Sequence, residues 1–263
     1  MPNSATSEAM PTTTLGPLTV SRFIVGGNPF SGNSHWSAER SDKMRHWWTS
    51  ARIKDCLREA EDLGVNTLVA RGDNHIARLL LEYRDEGGAI QWIAQTAPER
   101  KSVEANIRQI CGAGAVSCYL HGGMADGIFR DGDPAVMRDW IALIKDLGMV
   151  AGLASHNWQY PLCAEEMDLG CDFYLCCFYD LYGRGGEFYE EEDRQAMVRT
   201  IREIEKPCVA YKIMAAGRNE PEAALKFAFE QIKPTDPVCV GLYTEDHPEQ
   251  LAEDVALTVR FGS

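Results

Sequence analysis

The sequence predicts a single-domain (β/α)8 TIM barrel, and three observations carry that prediction. The stretch from Val150 to Asp180, VAGLASHNWQYPLCAEEMDLGCDFYLCCFYD, holds two apolar runs joined by a short helix-like segment, each run ending in polar or sulfur groups. Two buried strands linked by a helix are the repeating unit of a parallel α/β sheet. That unit recurs eight times with short joins and no dividing linker, more regular repeats than an open doubly wound sheet requires. The length of 263 residues, 45% hydrophobic and 25% charged, suits one large core.

The elements follow in order. Residues 1–14, MPNSATSEAMPTTT, have neither a basic start nor an apolar core, so they read as a disordered tail and not a signal peptide, with the barrel over 15–263. Leu18 to Val25 is the first strand, broken by Gly26-Gly27-Asn28-Pro29. Phe30 to Thr49, with His35, Trp36, His46, Trp47 and Trp48, is too long for a plain join and reads as a lid, with a plug packed on the barrel as the alternative. Ala51 to Leu63 has apolar residues at helical spacing and stops at Gly64. Strands two to four are Asn66–Ala70, Ala89–Thr96 and Ala115–Leu120, with helices over Ile76–Tyr83, Glu99–Cys111 and Pro134–Leu147. Strands five and six lie in the 150–180 stretch, joined by the short helix. Glu190 to Ile204 is a helix whose acidic start suits its positive N-terminal end. Pro207–Ile213 and Pro237–Leu242 are strands seven and eight, with helices over Pro221–Ile232 and Pro248–Val259.

Charge and sulfur narrow the function. A net charge of −13 argues against nucleic acid or an anionic membrane as partner, while a few local cations still suffice for a small anionic substrate. Nine cysteines, an odd number without a CxxC pair, indicate reduced thiols in a cytoplasmic protein and no zinc ribbon. No apolar run reaches membrane-spanning length. A small-molecule substrate is therefore the expected partner, and homo-oligomerisation stays open.

In a barrel of this kind the C-terminal ends of the strands share one mouth, where active sites are built. Those ends carry Asn28; Arg71 with Asp73 and His75; Gln95; His121; His156 with Asn157; Cys176 with Cys177; Lys212; and Tyr243 with Thr244. His121 and His156 end neighbouring strands and are assigned general acid–base roles, because imidazole titrates near neutrality. Asp73 and Lys212 complete the catalytic set, Lys212 as an electrostatic group or base. Asn28, Arg71, His75, Gln95, Asn157, Cys176, Tyr243 and Arg218 are the expected substrate contacts. His121, His156, Asp73 and His75 also offer the nitrogen and carboxylate ligands of a divalent metal, although no HxH or HExxH spacing fixes one. Adjacent Cys176 and Cys177 must point to opposite faces of a strand. Gly183-Arg184-Gly185-Gly186 could wrap an anion but lacks a phosphate fingerprint.

Several segments resemble the aldo-keto reductases. They are Leu15 to Gly27 (LGPLTVSRFIVGG), Leu63 to Thr67 (LGVNT), Tyr119-Leu120-His121, Ala210-Tyr211-Lys212 with Ala215-Ala216-Gly217, Glu222 to Phe227, Val240-Gly241-Leu242 and Pro248 to Leu251. The resemblance runs along most of the chain and implies that family's barrel. It also implies a catalytic Asp, Tyr, Lys and His, which fall at Val69, near Asn74, around Gln95 or Thr96, and at His121; only the histidine matches. Glu245 and Asp246 stand where a cofactor phosphate would be held, so non-redox acid–base chemistry on a small polar, carbonyl- or sugar-like substrate is expected. The alternatives are an NADPH-dependent reductase with relocated catalytic groups and a non-catalytic ligand-binding barrel.

Overall fold

The computed structural model describes residues 9–179 and 191–263. Chain entry is an antiparallel hairpin of β1 (Thr12–Leu15) and β2 (Leu18–Ser21), paired from Thr12 with Ser21 to Leu15 with Leu18. Gly16 turns it at φ 58°, a left-handed backbone that favours glycine, although a Cβ there would meet Val150 only at an ordinary 3.5 Å. Leu15 and Val20 pack into the barrel interior beside Val150, so the hairpin plugs the end where the strands start. Two expectations are corrected here. Thr12–Leu15 is ordered strand and not tail, and Leu18–Val25 is two strands split at Arg22, whose guanidinium is held by the Asp236 and Gly262 carbonyls. Residues 1–8 of the expected tail lie outside the described residues.

The barrel strands are β3 (Phe23–Gly26), β4 (Thr67–Arg71), β5 (Gln91–Gln95), β6 (Ser117–Leu120), β7 (Val150–Ser155), β8 (Phe173–Cys177), β9 (Cys208–Tyr211) and β10 (Val238–Gly241). They are parallel throughout and close as β10-β3-β4-β5-β6-β7-β8-β9. Strands covered on both faces read as continuous apolar runs, and all six residues of β7 are buried. Side chains alternate inward and outward. Ile24, Val69, Ile93, Tyr119, Phe173, Leu175 and Val209 fill the interior, while Leu68, Trp92, Leu120, Tyr174 and Val238 meet the surrounding helices.

Those helices are α1 (Ala38–Trp47), α2 (Ser50–Asp62), α3 (Asn74–Asp85), α4 (Val103–Gly112), α5 (Gly122–Asp131), α6 (Val136–Asp146), α7 (Tyr160–Glu166), α8 (Glu191–Glu203), α9 (Pro221–Gln231) and α10 (Gln250–Phe261). Side-chain caps start several of them: Ser37 for α1, Thr49 for α2, Asp73 for α3 and Ser102 for α4. The Ser102 cap explains why α4 begins at Val103 and not at Glu99. α5 was not expected, because its three glycines hide the helical pattern. The expected lid over 30–49 is a 3-10 turn at Pro29–Ser31 followed by α1. Among the described residues no helix is long and apolar enough to cross a membrane. The Gly183–Gly186 loop lies outside the described residues.

Candidate active site

At the C-terminal ends of the strands lie two connected cavities. The wider, about 510 Å³, runs from Arg71, Gln95 and Tyr211 outward to Arg40, Asp246 and Glu253. The smaller, about 60 Å³, is lined by Asn28, Asn33, His35, Arg71, Gln95, His121, Gly122, His156, Tyr211 and Lys212. Of the predicted residues, Asn28, Arg71, Gln95 and Lys212 face both cavities, His121 and His156 face the small one, and Tyr243 faces the wide one.

His121 follows β6 and begins α5. The Met124 N–H donates to its Nδ1 at 3.2 Å, and its own N–H donates to Thr96 Oγ1 at 2.9 Å. An Nδ1 that accepts carries no proton, so the neutral ring keeps its hydrogen on Nε2. Burial, reinforced by the nearby His156 and Arg71, pushes its pKa down to about 4. His121 is therefore a neutral hydrogen-bond donor.

His156 is set the opposite way. Its Nδ1 lies 2.7 Å from Asp126 Oδ2, and its backbone N–H donates to the same oxygen at 3.1 Å. Ser155 Oγ sits 2.6 Å from Asp126 Oδ1. A carboxylate only accepts, so Nδ1 carries the proton and Nε2 is the basic nitrogen. Space for the ring comes from Gly122: a Cβ there would lie 3.0 Å from His156 Cε1 and 3.4 Å from the Tyr211 hydroxyl. That hydroxyl donates to the Ser155 carbonyl at 3.3 Å, and the Tyr211 ring meets His156 edge-on at 6.0 Å.

Sequence reasoning missed Asp126, Tyr211 and His35 as site residues. Asp126 sits on the unexpected helix α5, one turn beyond Gly122, and no strand-end pattern points to it. Strand alternation from Val209 puts Tyr211 inside and would send Lys212 outward. A left-handed φ of 55° at Lys212 turns that side chain back to the mouth. His35 also has φ 55° and enters the small cavity from above, its Nε2 3.4 Å from Asn28 Nδ2. Burial first, then Lys212 and His156, drive its pKa down to about 3.

Other predicted residues are elsewhere. Asp73 accepts from Ile76 N at 2.9 Å and lies 3.4 Å from Arg71 Nε, so it caps α3 and orients Arg71 without facing either cavity. His75 is exposed on α3. Asn157 Oδ1 accepts from Gln159 N at 2.9 Å in the β7–α7 turn. Cys176 points outward, a free and fully buried thiol hydrogen-bonded with the Cys208 thiol, its pKa raised by that hydrogen bond and by burial; Cys177 is the inward one, beside Tyr211. Arg218 stacks on Trp36 at 4.2 Å and binds the Ala215 and His35 carbonyls. The expected metal set is thus broken up, and among the described residues no group of three or more His, Cys, Asp or Glu is arranged to hold an ion.

No family model matches the chain, and no curated protein matches it. Solved structures do. Two structures assigned as aldo-keto reductase from Pseudomonas aeruginosa are 17% and 18% identical, with TM-scores of 0.61 and 0.65; 96% of this chain aligns with 95% and 94% of theirs. The holo form of an aldo-keto reductase from Bacillus halodurans is 13% identical with a TM-score of 0.61, over 95% of this chain and 91% of that one. The fold is that of the aldo-keto reductases. Likeness at this identity concerns the backbone alone.

Within this aldo-keto reductase fold, the positions expected for the family's acid, phenol and amine carry Val69, packed in the interior; Asn74, bound by Arg100 and Gln109; and Gln95, at the mouth. Phosphates bind such barrels at the loops after the last two strands. Here that wall of the wide cavity presents Glu220, Asp246 and Glu253, with Arg40 paired to Asp246 at 2.6 Å and His247 to Glu253 at 2.7 Å. The three carboxylates of this wall oppose the phosphates of NADPH, while Lys212, directly after β9, is a cation lining the same cavity.

Proposed function

We propose that the chain is an enzyme that moves protons on a small polar, carbonyl- or sugar-like substrate at the barrel mouth, without hydride transfer. The observation that carries this is the Asp126–His156 hydrogen bond beside a neutral His121, both rings lining one small cavity. His156 Nε2 removes the proton from the carbon next to a carbonyl. The electron pair of the broken C–H bond moves into the carbon framework and onto the carbonyl oxygen. His121 Nε2–H donates to that oxygen, and its low pKa keeps it a donor of one hydrogen bond and not a competing acid. Return of the proton from His156 to the former carbonyl carbon, with the enediol's hydroxyl proton passing to the former carbonyl oxygen, gives isomerisation. Asp126 holds the His156 tautomer and stabilises the imidazolium that forms.

The test is solvent-hydrogen exchange. In deuterated water without nicotinamide, at least one member of a panel of hydroxyketones, aldoses, oxo acids and sugar phosphates should take up deuterium next to the carbonyl, followed by NMR. His156→Asn and His121→Asn should slow exchange by about 100-fold or more while melting stays near wild type. Full exchange by both variants would refute the assignment. Titration with NADPH, read by quenching of the six tryptophans, should show no saturation at micromolar cofactor; saturation there would favour the reductase alternative.

A further inference from the structure

We infer that the seat between the two cavities binds an oxyanion, a carboxylate or phosphate, carried by the substrate close to its reacting carbon. The inference rests on the proton-transfer reading above and adds the substrate class. In a chain of net charge −13, every ionisable side chain facing the small cavity is basic or phenolic: His35, Arg71, His121, His156, Lys212 and Tyr211. The carboxylates lining the wide cavity are Glu220 in the loop after β9, Asp246 in the loop after β10, and Glu253 in the first turn of α10. Asp126 is engaged by His156 and Ser155.

Arg71 is built for such a group. Glu99 holds its Nη2 with both oxygens at 2.5 and 2.6 Å, and Asp73 lies beside Nε. The guanidinium is thereby fixed in one orientation, with Nη1 bearing no hydrogen bond among the described residues, and it lines both cavities. A planar donor fork held from behind recognises a carboxylate or phosphate better than a mobile amine does. Lys212 reaches the same boundary through its left-handed backbone. Burial is the main cause of the depressed pKa of His35, and the neighbouring Lys212, His156 and Arg218 lower it further.

Geometry then limits the substrate. The small cavity has room for little more than the reacting carbonyl, and Arg71 and Lys212 stand where it opens into the wide one. The anionic group is therefore a few bonds from the carbon that loses its proton, with the remainder of the molecule in the 510 Å³ space. Oxo or hydroxy acids and short sugar phosphates satisfy this; neutral sugars do not.

Calorimetry and thermal melting with oxalate, malonate and inorganic phosphate, against the neutral diamides of the two acids, test the seat. The anions should bind and raise the melting temperature, the diamides should not, and the better of carboxylate and phosphate names the group. Arg71→Gln should weaken anion binding roughly tenfold or more, with Lys212→Gln as a second variant should Arg71→Gln fail to fold. Equal binding of diamides and anions, no stabilisation by any anion at about 10 mM, or undiminished binding in the substituted proteins would overturn the inference. The two readouts on the wild type separate the two ideas. Anion binding without deuterium exchange in the wild type removes the catalytic reading alone, whereas exchange on neutral sugars without anion binding removes the oxyanion seat alone.

Discussion

Asp126 is the residue on which the proposed chemistry turns, because it fixes which nitrogen of His156 is basic. Replacing it with Asn keeps the volume but lets an amide N–H face the ring, which favours the opposite tautomer and places the ring proton on Nε2. Asp126→Asn should therefore lower turnover by about 10²- to 10⁴-fold with little change in KM, checked by steady-state kinetics on the exchange substrate. Gly122→Ala tests the same ring from another side. A methyl 3.0 Å from His156 Cε1 must displace it, so turnover should fall at least tenfold as a misplaced base would produce, while folding survives because the strain is met by one side chain. The histidines were legible in the sequence since both end strands. Asp126 was not, for it lies off the strand ends. Asp73 sits at a strand end but caps a helix, a role that its place before Asn74-His75-Ile76 equally allows.

At the scale of elements, the barrel strands could be read because their apolar runs are short, buried on both faces and closed by Gly, Pro or polar groups. α5 escaped because Gly122, Gly123 and Gly127 erase helical propensity, and the close approach of His156 to Gly122 gives a reason for at least one of them. The segment over 29–49 was legible as a cover but not in its attachments, which are between residues about two hundred apart in sequence. Trp36 Nε1 donates to the Ala216 carbonyl, Trp47 Nε1 to Thr244 Oγ1 at 3.2 Å, and Arg40 pairs with Asp246. The cover is thus pinned to the loops after β9 and β10, and it is what carries His35 into the small cavity. Trp36→Ala removes both a hydrogen bond and the face on which Arg218 stacks at 4.2 Å. The expected result is a KM raised several-fold with kcat changed less, since the His121–His156 pair belongs to the barrel and not to the cover. Equal loss in both constants would mean that His35 takes part in the chemistry.

For the whole molecule, burial of ionisable groups makes stability depend on pH in two opposing ways. His35 and His121 are held neutral, with pKa values lowered to about 3 and about 4 chiefly by burial. Between those values and the ordinary 6.5 the unfolded chain binds the extra protons, so their contribution is present above about 6.5 and lost as pH falls toward 4. Asp236 and Asp254 run the other way. Burial raises them to about 6 and about 7, so the folded chain holds protons that the unfolded chain has released. The stability this gives is full below the ordinary 3.8 and is lost as pH rises through 6 to 7. Asp254 is the cleaner probe, being 1% exposed with Oδ1 lacking a hydrogen-bond partner among the described residues. Asp254→Asn keeps the shape of the protonated carboxyl and cannot ionise. Its melting temperature relative to wild type should therefore be lowest near pH 4 and climb steadily to pH 8, with most of the climb between 4 and 7. A difference that stays flat across that range would show that the carboxylate of Asp254 is as well accommodated as its acid, and that water or a cation reaches this buried face of α10.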